Sequence, residues 1–221
     1  MMMNEFVCDL VRTRLFLGLE PGEITELLLC VQARHLKYAK GERIISAGDR
    51  VTSFAIVLSG RGKVIQADAA GRQIIIALLS QGSEIGILIA ASREQISPVT
   101  VQTEEPVELL SIPLDGVLGN SAQNCPGYDR LLRNCVAMIA EKGLDLHDRI
   151  GVLLKPTVRE KILAYLNQVA GEIGSRSFQI PLDRSGLAEY LNIDRSALSR
   201  ELSRMKRDGL LSYRKNTFTL F

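Results

Sequence analysis

Two short helices joined by a tight turn constrain the C-terminal part of this chain more than any other feature. Asp183 is a favourable N-cap for one helix and Asp194 for the next, with Asn192-Ile193 as the turn between them. Small Ala188 lies where two such helices approach most closely. The spacing predicts a helix-turn-helix. Its shared apolar core would consist of Leu187, Leu191, Ile193, Leu198 and Leu202.

The second helix, "DRSALSRELSRMKR", has two unlike halves when its residues are placed at about 100° intervals. One half is apolar except for Glu201. The other half is basic, with small hydroxyl residues: Arg195, Ser196, Ser199, Arg200, Ser203, Arg204, Lys206 and Arg207. An ordinary solvated face more often mixes Glu with Lys. A cationic face with small serines favours a helix that lies in a DNA major groove, with base contacts near its N-terminus.

The residues after this helix, "GLLSYRKNTFTLF", predict a β-hairpin. Tyr213 and Phe218 flank a tip at Lys215-Asn216, and Lys215 would contact the DNA backbone as part of a wing. The charge distribution agrees with a DNA contact, because residues 155–221 carry 12 Lys and Arg against 7 Asp and Glu. Residues 1–154 carry 15 against 18, and this asymmetry suggests two domains, the basic one facing a polyanion.

The composition suits a protein with real hydrophobic cores, at 221 residues and 46% hydrophobic. No apolar run approaches the roughly 18 residues that a transmembrane helix needs. The start, "MMMNEFVCDLVRTRL", lacks an apolar signal core with a cleavage site. We therefore expect a cytoplasmic protein with no membrane partner.

Between about residue 36 and residue 113 the pattern changes to short β-branched and apolar runs separated by turn signals. This pattern predicts an all-β barrel or sandwich. The turn signals include Gly41, Gly48, Gly60, Gly62, Gly71 and Gly82, and several of these glycines would supply positive φ in tight turns. Before this segment, residues 23–35 have the apolar spacing of a helix.

Residues 127–154 predict one long helix with a 4-3-4-3-4-3 apolar seam: Leu132, Val136, Ile139, Gly143, Leu146, Ile150 and Leu153. A helix packed on its own β domain also needs an apolar stripe, but this strict heptad spacing suits a partner helix better. We expect a dimer interface in which Gly143 allows close backbone approach. A capping box at Thr157 and Glu160 then starts a new helix, whose apolar residues begin a new core. The predicted domains are 1–126, 127–154 and 155–221.

Nearly the whole chain resembles the Crp/Fnr family of bacterial transcription regulators, typified by the cyclic-AMP receptor protein and the fumarate–nitrate reduction regulator. The resemblance runs through "GERIISAGDRVTSFAIVLSGRGKV", "LLSQGSEIG", the long helix and the C-terminal segment. It implies an α+β fold with an N-terminal antiparallel β-roll (a cupin-like jelly roll), a long dimerisation helix and a C-terminal winged helix-turn-helix. It also implies a homodimer on an inverted-repeat DNA site, a signal sensed in the roll, and RNA polymerase as a further partner.

By this resemblance the base-reading positions fall at Arg195, Ser196, Ser199 and Arg200. Well-known members have Glu where this chain has Ser196, and that Glu accepts from a cytosine amino group, so no consensus DNA site carries over. Arg200 is the best candidate for a bidentate contact to guanine. Arg195 would read a base or bind phosphate, and Arg204 belongs to the same predicted DNA-binding set.

Cyclic-nucleotide members carry a Gly-Glu-Leu motif and a later Arg-Ser pair, in which Glu accepts from the ribose and Arg neutralises the phosphate. Here these positions are Gly86-Ile87-Leu88 and approximately Ser97-Pro98, so a buried phosphate would have no charged partner. The sequence therefore disfavours cyclic AMP. The remaining pocket would hold an apolar or aromatic small molecule, or be filled core. Its candidate residues are Ile85, Gly86, Ile87, Leu88, Ser97 and Val99.

Other chemistry has little support in the sequence. The cysteines show neither CxxC nor metal-ligand spacing, and we expect reduced, buried or idle thiols; a redox-sensing thiol or a bound cluster is the alternative. His35 and His147 would be surface or packing residues, and no metal or cofactor is predicted. The chain has no phosphate loop and no nucleophile motif, so an enzyme is not expected. The alternative to a DNA-binding regulator is an interaction module with no specific DNA target. The cysteines are Cys8, Cys30, Cys125 and Cys135.

Overall fold

The computed structural model of the chain describes residues 6–67, 73–120 and 122–221, so the predicted turn at Gly71 lies outside the described residues. The contacts divide the chain into two compact units, residues 1–143 and 144–221. The division falls inside the long helix, whereas the sequence pattern changes near residue 155. The reason is that Met138 of this helix packs in the core of the first unit and Val152 packs in the core of the second.

The first unit is built around two antiparallel four-stranded sheets. Its strands are β1 (Arg34–Tyr38), β2 (Arg43–Ile45), β3 (Ser53–Ser59), β4 (Gly62–Ala67), β5 (Gln73–Leu79), β6 (Glu84–Ile85), β7 (Thr100–Thr103) and β8 (Val107–Pro113). The strand orders are β1-β8-β3-β6 and β2-β7-β4-β5. This arrangement confirms the predicted antiparallel β fold, and we call the two sheets the β-roll.

Strand β3 explains how the roll is held between two cores. Phe54, Ile56 and Leu58 face a core shared with the helices, whereas Ala55 and Val57 face the core between the two sheets. The alternation follows because successive side chains of a strand point to opposite faces. The run "FAIVL" is therefore apolar throughout, since both faces of the strand are buried.

The helices of the first unit are α1 (Val7–Leu10), a 3-10 turn (Arg14–Phe16), α2 (Pro21–Cys30), α3 (Ile87–Ala90), α4 (Leu114–Leu118) and the first part of α5 (Tyr128–Leu153). The helix expected over residues 23–35 ends earlier, at Cys30. Gln32 adopts a left-handed φ of 56°, and β1 begins two residues later. No helix among the described residues is both long and apolar enough to cross a membrane.

Helix α5 confirms the predicted long helix to within one residue at each end, and one face of it packs on the core of the first unit. Leu131, Cys135 and Met138 are buried there. Asn134, on the same side, donates from Nδ2 to the main-chain oxygen of Leu15 at 2.8 Å. Each of these three buried residues comes one position before a residue of the heptad seam, so the face of α5 that packs on the first unit lies beside the seam.

The second unit is a three-helix domain with a small antiparallel sheet in the order β10-β11-β9. Its elements are α6 (Val158–Ile173), β9 (Ser177–Gln179), α7 (Arg184–Tyr190), α8 (Arg195–Arg207), β10 (Leu211–Arg214) and β11 (Thr217–Leu220). The predicted capping box is present, since Thr157 Oγ1 accepts from the Glu160 N–H at 3.2 Å and the Glu160 carboxylate accepts from the Thr157 N–H at 3.1 Å. Helix α6 ends at Gly174, which has a φ of 69°.

The cysteines differ from the expectation of reduced thiols. Cys30, the last residue of α2, and Cys125, shortly before α5, form a disulfide, so the expectation was wrong for these two. They are 95 residues apart in sequence, and only the fold brings them together. Cys8 is an exposed free thiol. Cys135 is a buried free thiol, and desolvation raises its pKa to about 12.

Candidate nucleic-acid interface

The predicted helix-turn-helix is confirmed, with α7 and α8 as its two helices. The Asp183 side chain caps α7 by accepting from the Gly186 N–H at 2.7 Å. In the turn, Asn192 has a left-handed φ of 49°, and the next residue donates from its N–H to the Ala188 carbonyl oxygen at 3.0 Å. The side chain of Asp194 then caps α8. These local bonds set the angle at which α8 leaves the turn.

The two halves of α8 have the environments that their composition predicts. Leu198, Leu202 and Met205 are fully buried against the core of the unit. Arg195, Ser196, Ser199 and Arg200, the predicted base-reading residues, are all exposed, as is Arg204. The structure thus presents a cationic surface along α8 (Arg195, Ser196, Ser199, Arg200, Arg204), which we call the reading face.

The arginines of the reading face differ in what they bind. Arg204 Nη1 lies 3.5 Å from the Glu201 carboxylate. Arg195 and Arg200 form no salt bridge with any described residue. The Ser199 hydroxyl donates to the Arg195 carbonyl oxygen at 3.0 Å, which keeps this small side chain flat against the helix. Arg200 therefore has the freedom to reach a base edge, whereas Arg204 is partly engaged within the protein.

Glu201, the one acidic residue on the apolar half of α8, has a structural role that sequence analysis missed. Its carboxylate pairs with Nε of Arg159 on α6, and Arg159 Nη2 also lies 2.8 Å from the Asp208 carboxylate. Its hydrogen bond to Glu201, with a smaller contribution from the hydrogen bond to Asp208, raises the pKa of the Arg159 guanidinium. This network fastens α8 to α6. In the sequence, an isolated Glu on the apolar half of a helix was the signal that could have indicated a cationic partner on a neighbouring element.

The predicted hairpin forms β10 and β11, with Lys215 at its tip, exposed and at a φ of 54°. Tyr213 of β10 holds the hairpin against the two helices. The Arg184 guanidinium carbon lies 4.6 Å from the centroid of its ring, and Lys206 Nζ of α8 lies 5.6 Å from it. Sequence analysis did not identify Arg184, which comes from the first turn of α7. The hairpin therefore stands beside α8 as a wing.

The cap of α8 makes its stability sensitive to acid. Asp194 accepts from the N–H groups of Ser196 and Ala197 at 2.7 and 3.1 Å. Hydrogen bonds from Ser196 and Ala197, with a further contribution from the charge of Arg200, hold the pKa of the Asp194 carboxyl below its ordinary value.

We expect the stabilisation from this carboxylate to be complete above its unfolded-state pKa and to be lost as the pH falls through the folded-state pKa. Asp194→Asn keeps a good cap without the titrating group. The melting temperature of the wild type should exceed that of the variant at neutral pH, and the difference should shrink on acidification. Circular dichroism melts across the acid range measure it. A difference that stays constant with pH would contradict this role.

The β-roll contains a cavity of about 210 Å³ between its two sheets. Its walls mix apolar and polar residues, and the apolar ones are Leu36, Ile44, Ile45, Val51, Ala55, Ile85 and Leu109. Thr52 and Ser53 are among the polar ones. Tyr38, Asp49, Arg50 and Ser111 supply polar groups. The Arg50 guanidinium forms no salt bridge with a described residue, and it donates to Gln95 Oε1 at 3.2 Å.

The predicted pocket residues lie only partly at this cavity. Ile85 lines it, and a Cβ added to Gly86 would lie 3.3 Å from the lining residue Val51. Ile87 instead begins α3 and is buried in the core shared with the helices, with Leu88 beside it on the same short helix.

The remaining two predicted positions, Ser97 and Val99, bond to each other. The buried Ser97 hydroxyl donates to the Val99 carbonyl oxygen at 2.7 Å. Neither residue is among the cavity's described lining. Sequence analysis missed Arg50, which precedes β3 and carries no motif of its own.

Comparison with known proteins agrees with this architecture. A family model described as the cyclic nucleotide-binding domain matches residues 35–123, and one described as the Crp-like helix-turn-helix domain matches residues 160–220. Among solved structures, the c-di-GMP-responsive global regulator CLP of Xanthomonas campestris superposes with a TM-score of 0.68 at 21% identity, covering 91% of this chain and 99% of CLP. FixK2 from Bradyrhizobium japonicum gives a TM-score of 0.63 at 17% identity, covering 85% of this chain and 92% of FixK2. These likenesses show a shared fold.

Similarity to curated proteins extends over most of the chain. The transcriptional activator protein FnrA of Stutzerimonas stutzeri is 24% identical over 177 residues, which cover 78% of this chain and 70% of FnrA. The regulatory protein HlyX of Actinobacillus pleuropneumoniae is 22% identical over 218 residues, covering 96% of this chain and 88% of HlyX. With both domain families present in the expected order, the chain belongs to the Crp/Fnr family of transcription regulators, with a helix-turn-helix DNA-binding domain.

Proposed function

We propose that the protein is a homodimer that binds an inverted-repeat DNA site through α8 and alters transcription in response to a signal received by the β-roll. The observation that carries the proposal is the reading face. Its exposed cations lie along one side of a helix, with Arg195 and Arg200 in its first two turns, and fully buried side chains anchor the other side of that helix. That arrangement suits insertion into a major groove, with Lys215 of the wing on the phosphate backbone.

The exposed part of the heptad seam supports dimerisation through α5. Val136, Leu146 and Ile150 are 61%, 45% and 55% exposed, although each is a large apolar side chain. Gly143 has open space around its Cα, where a Cβ would meet nothing within 4 Å. Exposed apolar side chains at this spacing are typical of a helix that pairs with another.

The other apolar seam residues are less exposed. Leu132 and Ile139 are half-buried at the edge of the first unit's core, and Leu153 is half-buried as well. A partner helix that packs along α5 would cover the exposed seam residues. Two copies related by a two-fold axis would present two reading faces, which is why the DNA site is expected to be an inverted repeat.

The proposal is tested by incubating the reduced, purified protein with a pool of random DNA duplexes and sequencing what it retains. An enriched inverted repeat supports the proposal, and binding to it should weaken steeply as salt rises, because phosphate contacts release counterions. Retention without enrichment, in the presence and absence of candidate signals, would favour the alternative, an interaction module with no specific DNA target.

For the signal, we propose a small apolar or aromatic molecule that carries one anionic group. The presence of a cavity in the β-roll favours a bound ligand over the alternative, a filled core. Its volume of about 210 Å³ is below the roughly 300–1,000 Å³ of drug-sized sites, which favours a small molecule. Arg50, which forms no salt bridge with a described residue, would supply the charge for an anion, although Asp49 also lines the cavity. Cyclic AMP is disfavoured, since by the family resemblance Ile87 and approximately Ser97 replace the residues that would bind its ribose and phosphate.

We expect Ala55→Leu to fill this cavity and abolish binding of small aromatic carboxylates such as phenylacetate, while the chain stays folded. Arg50→Gln should weaken phenylacetate by about tenfold, because a hydrogen bond to a charged group is lost. Its effect on the neutral analogue benzyl alcohol should be small. Titration calorimetry measures both variants. Undiminished binding to Ala55→Leu would place the ligand elsewhere.

The remaining parts of the proposal concern the setting. We infer that the protein works in the cytoplasm, where its DNA is, and that it acts by binding rather than by catalysis. Contact with RNA polymerase would follow for a regulator that activates, whereas occlusion of a promoter would suffice for one that represses.

A further inference from the structure

The disulfide between Cys30 and Cys125 lies at a second cavity, separate from the one inside the β-roll. Cys125 lines this cavity, whose volume is about 560 Å³, together with Arg130 and Arg133 of α5. We infer that Cys125 is a thiol–disulfide exchange site that takes small anionic disulfides, with Cys30 as the thiol that resolves the mixed disulfide.

The charge of the cavity favours an anion. Arg130 and Arg133 are exposed, stand one turn apart on α5, and form no salt bridge with a described residue. Asp129 is the one acid among the described lining residues. The Arg130 side chain lies over Gly18, so closely that a Cβ there would meet Nη1 at 3.0 Å. The Arg130 side chain thus contacts the chain at Gly18, and the two arginines outweigh the single carboxylate.

The positions of the two sulfurs decide which one reacts with the small molecule. Cys125 lies just ahead of α5, and its carbonyl oxygen accepts from the N–H of Tyr128, the first residue of that helix. A helix N-terminus and nearby arginines stabilise a thiolate. Cys30 is the last residue of α2, where the unpaired carbonyl oxygens of a helix end disfavour negative charge. The reduced protein should therefore react through Cys125.

The exchange proceeds in two steps that conserve atoms and electrons. The Cys125 thiolate attacks one sulfur of the small disulfide, whose S–S bond breaks to release one small thiolate. A mixed disulfide is left on Cys125. Cys30, once deprotonated, attacks Cys125 Sγ and displaces the second small thiolate, which forms the Cys30–Cys125 bond. The protein loses two electrons and two protons, and the small disulfide becomes two thiols.

This assignment rests on the proposed function in one respect. A protein that works on DNA in the cytoplasm meets reducing conditions, in which a disulfide is more often exchangeable than permanent. The other thiols lack this setting: Cys8 is exposed, and Cys135 is buried away from solvent.

The test uses the full-length Cys8→Ser protein, reduced and then mixed with 3,3′-dithiodipropionate, bis(2-hydroxyethyl) disulfide or cystamine. These carry two negative charges, none and two positive charges. Mass spectrometry follows formation of the Cys30–Cys125 bond, and each rate is divided by that of the same disulfide with 2-mercaptoethanol. Cys30→Ser, in the same background, should trap a mixed disulfide on Cys125. Cys125→Ser is its matched control and should react slowly. No DNA is present, so the result is independent of the proposed function.

We expect the normalised rate to fall at least tenfold from the dianionic disulfide to the dicationic one. At high salt this difference between the disulfides should disappear. The double variant Arg130→Gln/Arg133→Gln should lose this difference as well. Both side chains are exposed, so the substitutions leave the core intact. Equal rates for the three disulfides, or equal reaction at Cys30 and Cys125, would overturn the assignment and leave the bond as a structural crosslink.

Discussion

Replacing Arg200 by alanine should abolish the protein's preference for its DNA site while leaving the fold unchanged. Arg200 is exposed on the reading face and forms no salt bridge with a described residue, so its removal costs the free protein little. A bidentate contact to guanine is worth about 1–3 kcal/mol, or about 5- to 150-fold in affinity. A dimer would lose this contact in both half-sites. Competition binding between the selected site and a scrambled duplex measures the loss.

Arg204→Ala is the matched control for this prediction. Arg204 lies one turn further along α8 and is engaged with Glu201 at 3.5 Å, which suits a phosphate contact rather than a base contact. Its removal should weaken specific and scrambled duplexes alike and reduce the salt dependence by about one phosphate contact per protomer. If Arg200→Ala selects the same site with undiminished preference, the assignment of the reading face is wrong.

Leu146→Asp should convert the proposed dimer to monomers. Leu146 is 45% exposed within its own chain, so a carboxylate there is solvated in the monomer but would be buried against its copy in a paired seam. Burying charges without partners costs several kcal/mol. We expect the dimer dissociation constant to rise by at least about 100-fold, measured by sedimentation velocity. Affinity for a full inverted repeat should fall with it, since each reading face then binds alone.

Leu144→Asp provides the control on the same helix. Leu144 is 63% exposed but lies one residue past Gly143, about 100° around the helix from the seam. It should leave the dimer intact. Ile139→Asp is a poorer test, although Ile139 is also a seam position, because its side chain packs against the core of the first unit and the variant would disturb folding as well. Unchanged dimers of Leu146→Asp would move the interface away from this seam.

Features that depend on neighbours within about four residues could be predicted from the sequence. The caps at Thr157, Asp183 and Asp194 all form as predicted, and so does the turn at Asn192-Ile193, in which the structure shows Asn192 to be left-handed. The two halves of α8 follow from helical periodicity, because a residue's position around the axis depends only on its place in the chain. The resemblance to a known family, carried by these local patterns, extended the prediction to the β-roll.

The pocket shows where a local pattern was insufficient. The sequence around Ile87 has the composition of a strand lining a cavity, but Gly86 adopts a left-handed φ of 79° and starts the short helix α3. Ile87 thereby turns into the core shared with the helices, whereas Ile85, also a predicted pocket residue, lines the cavity together with Arg50. A single left-handed residue redirects the chain and so decides which core the next side chain enters.

The sequence by itself determined the order of the secondary structures, the cationic half of α8 and the spacing of the seam, because each is a property of residues close together in the chain. Only the tertiary structure decided which distant groups meet. Arg159 pairs with Glu201 across 42 residues, and Cys30 bonds to Cys125 across 95. Neither pairing carries a spacing motif. Contacts of this kind depend on how the elements pack, which no local pattern encodes.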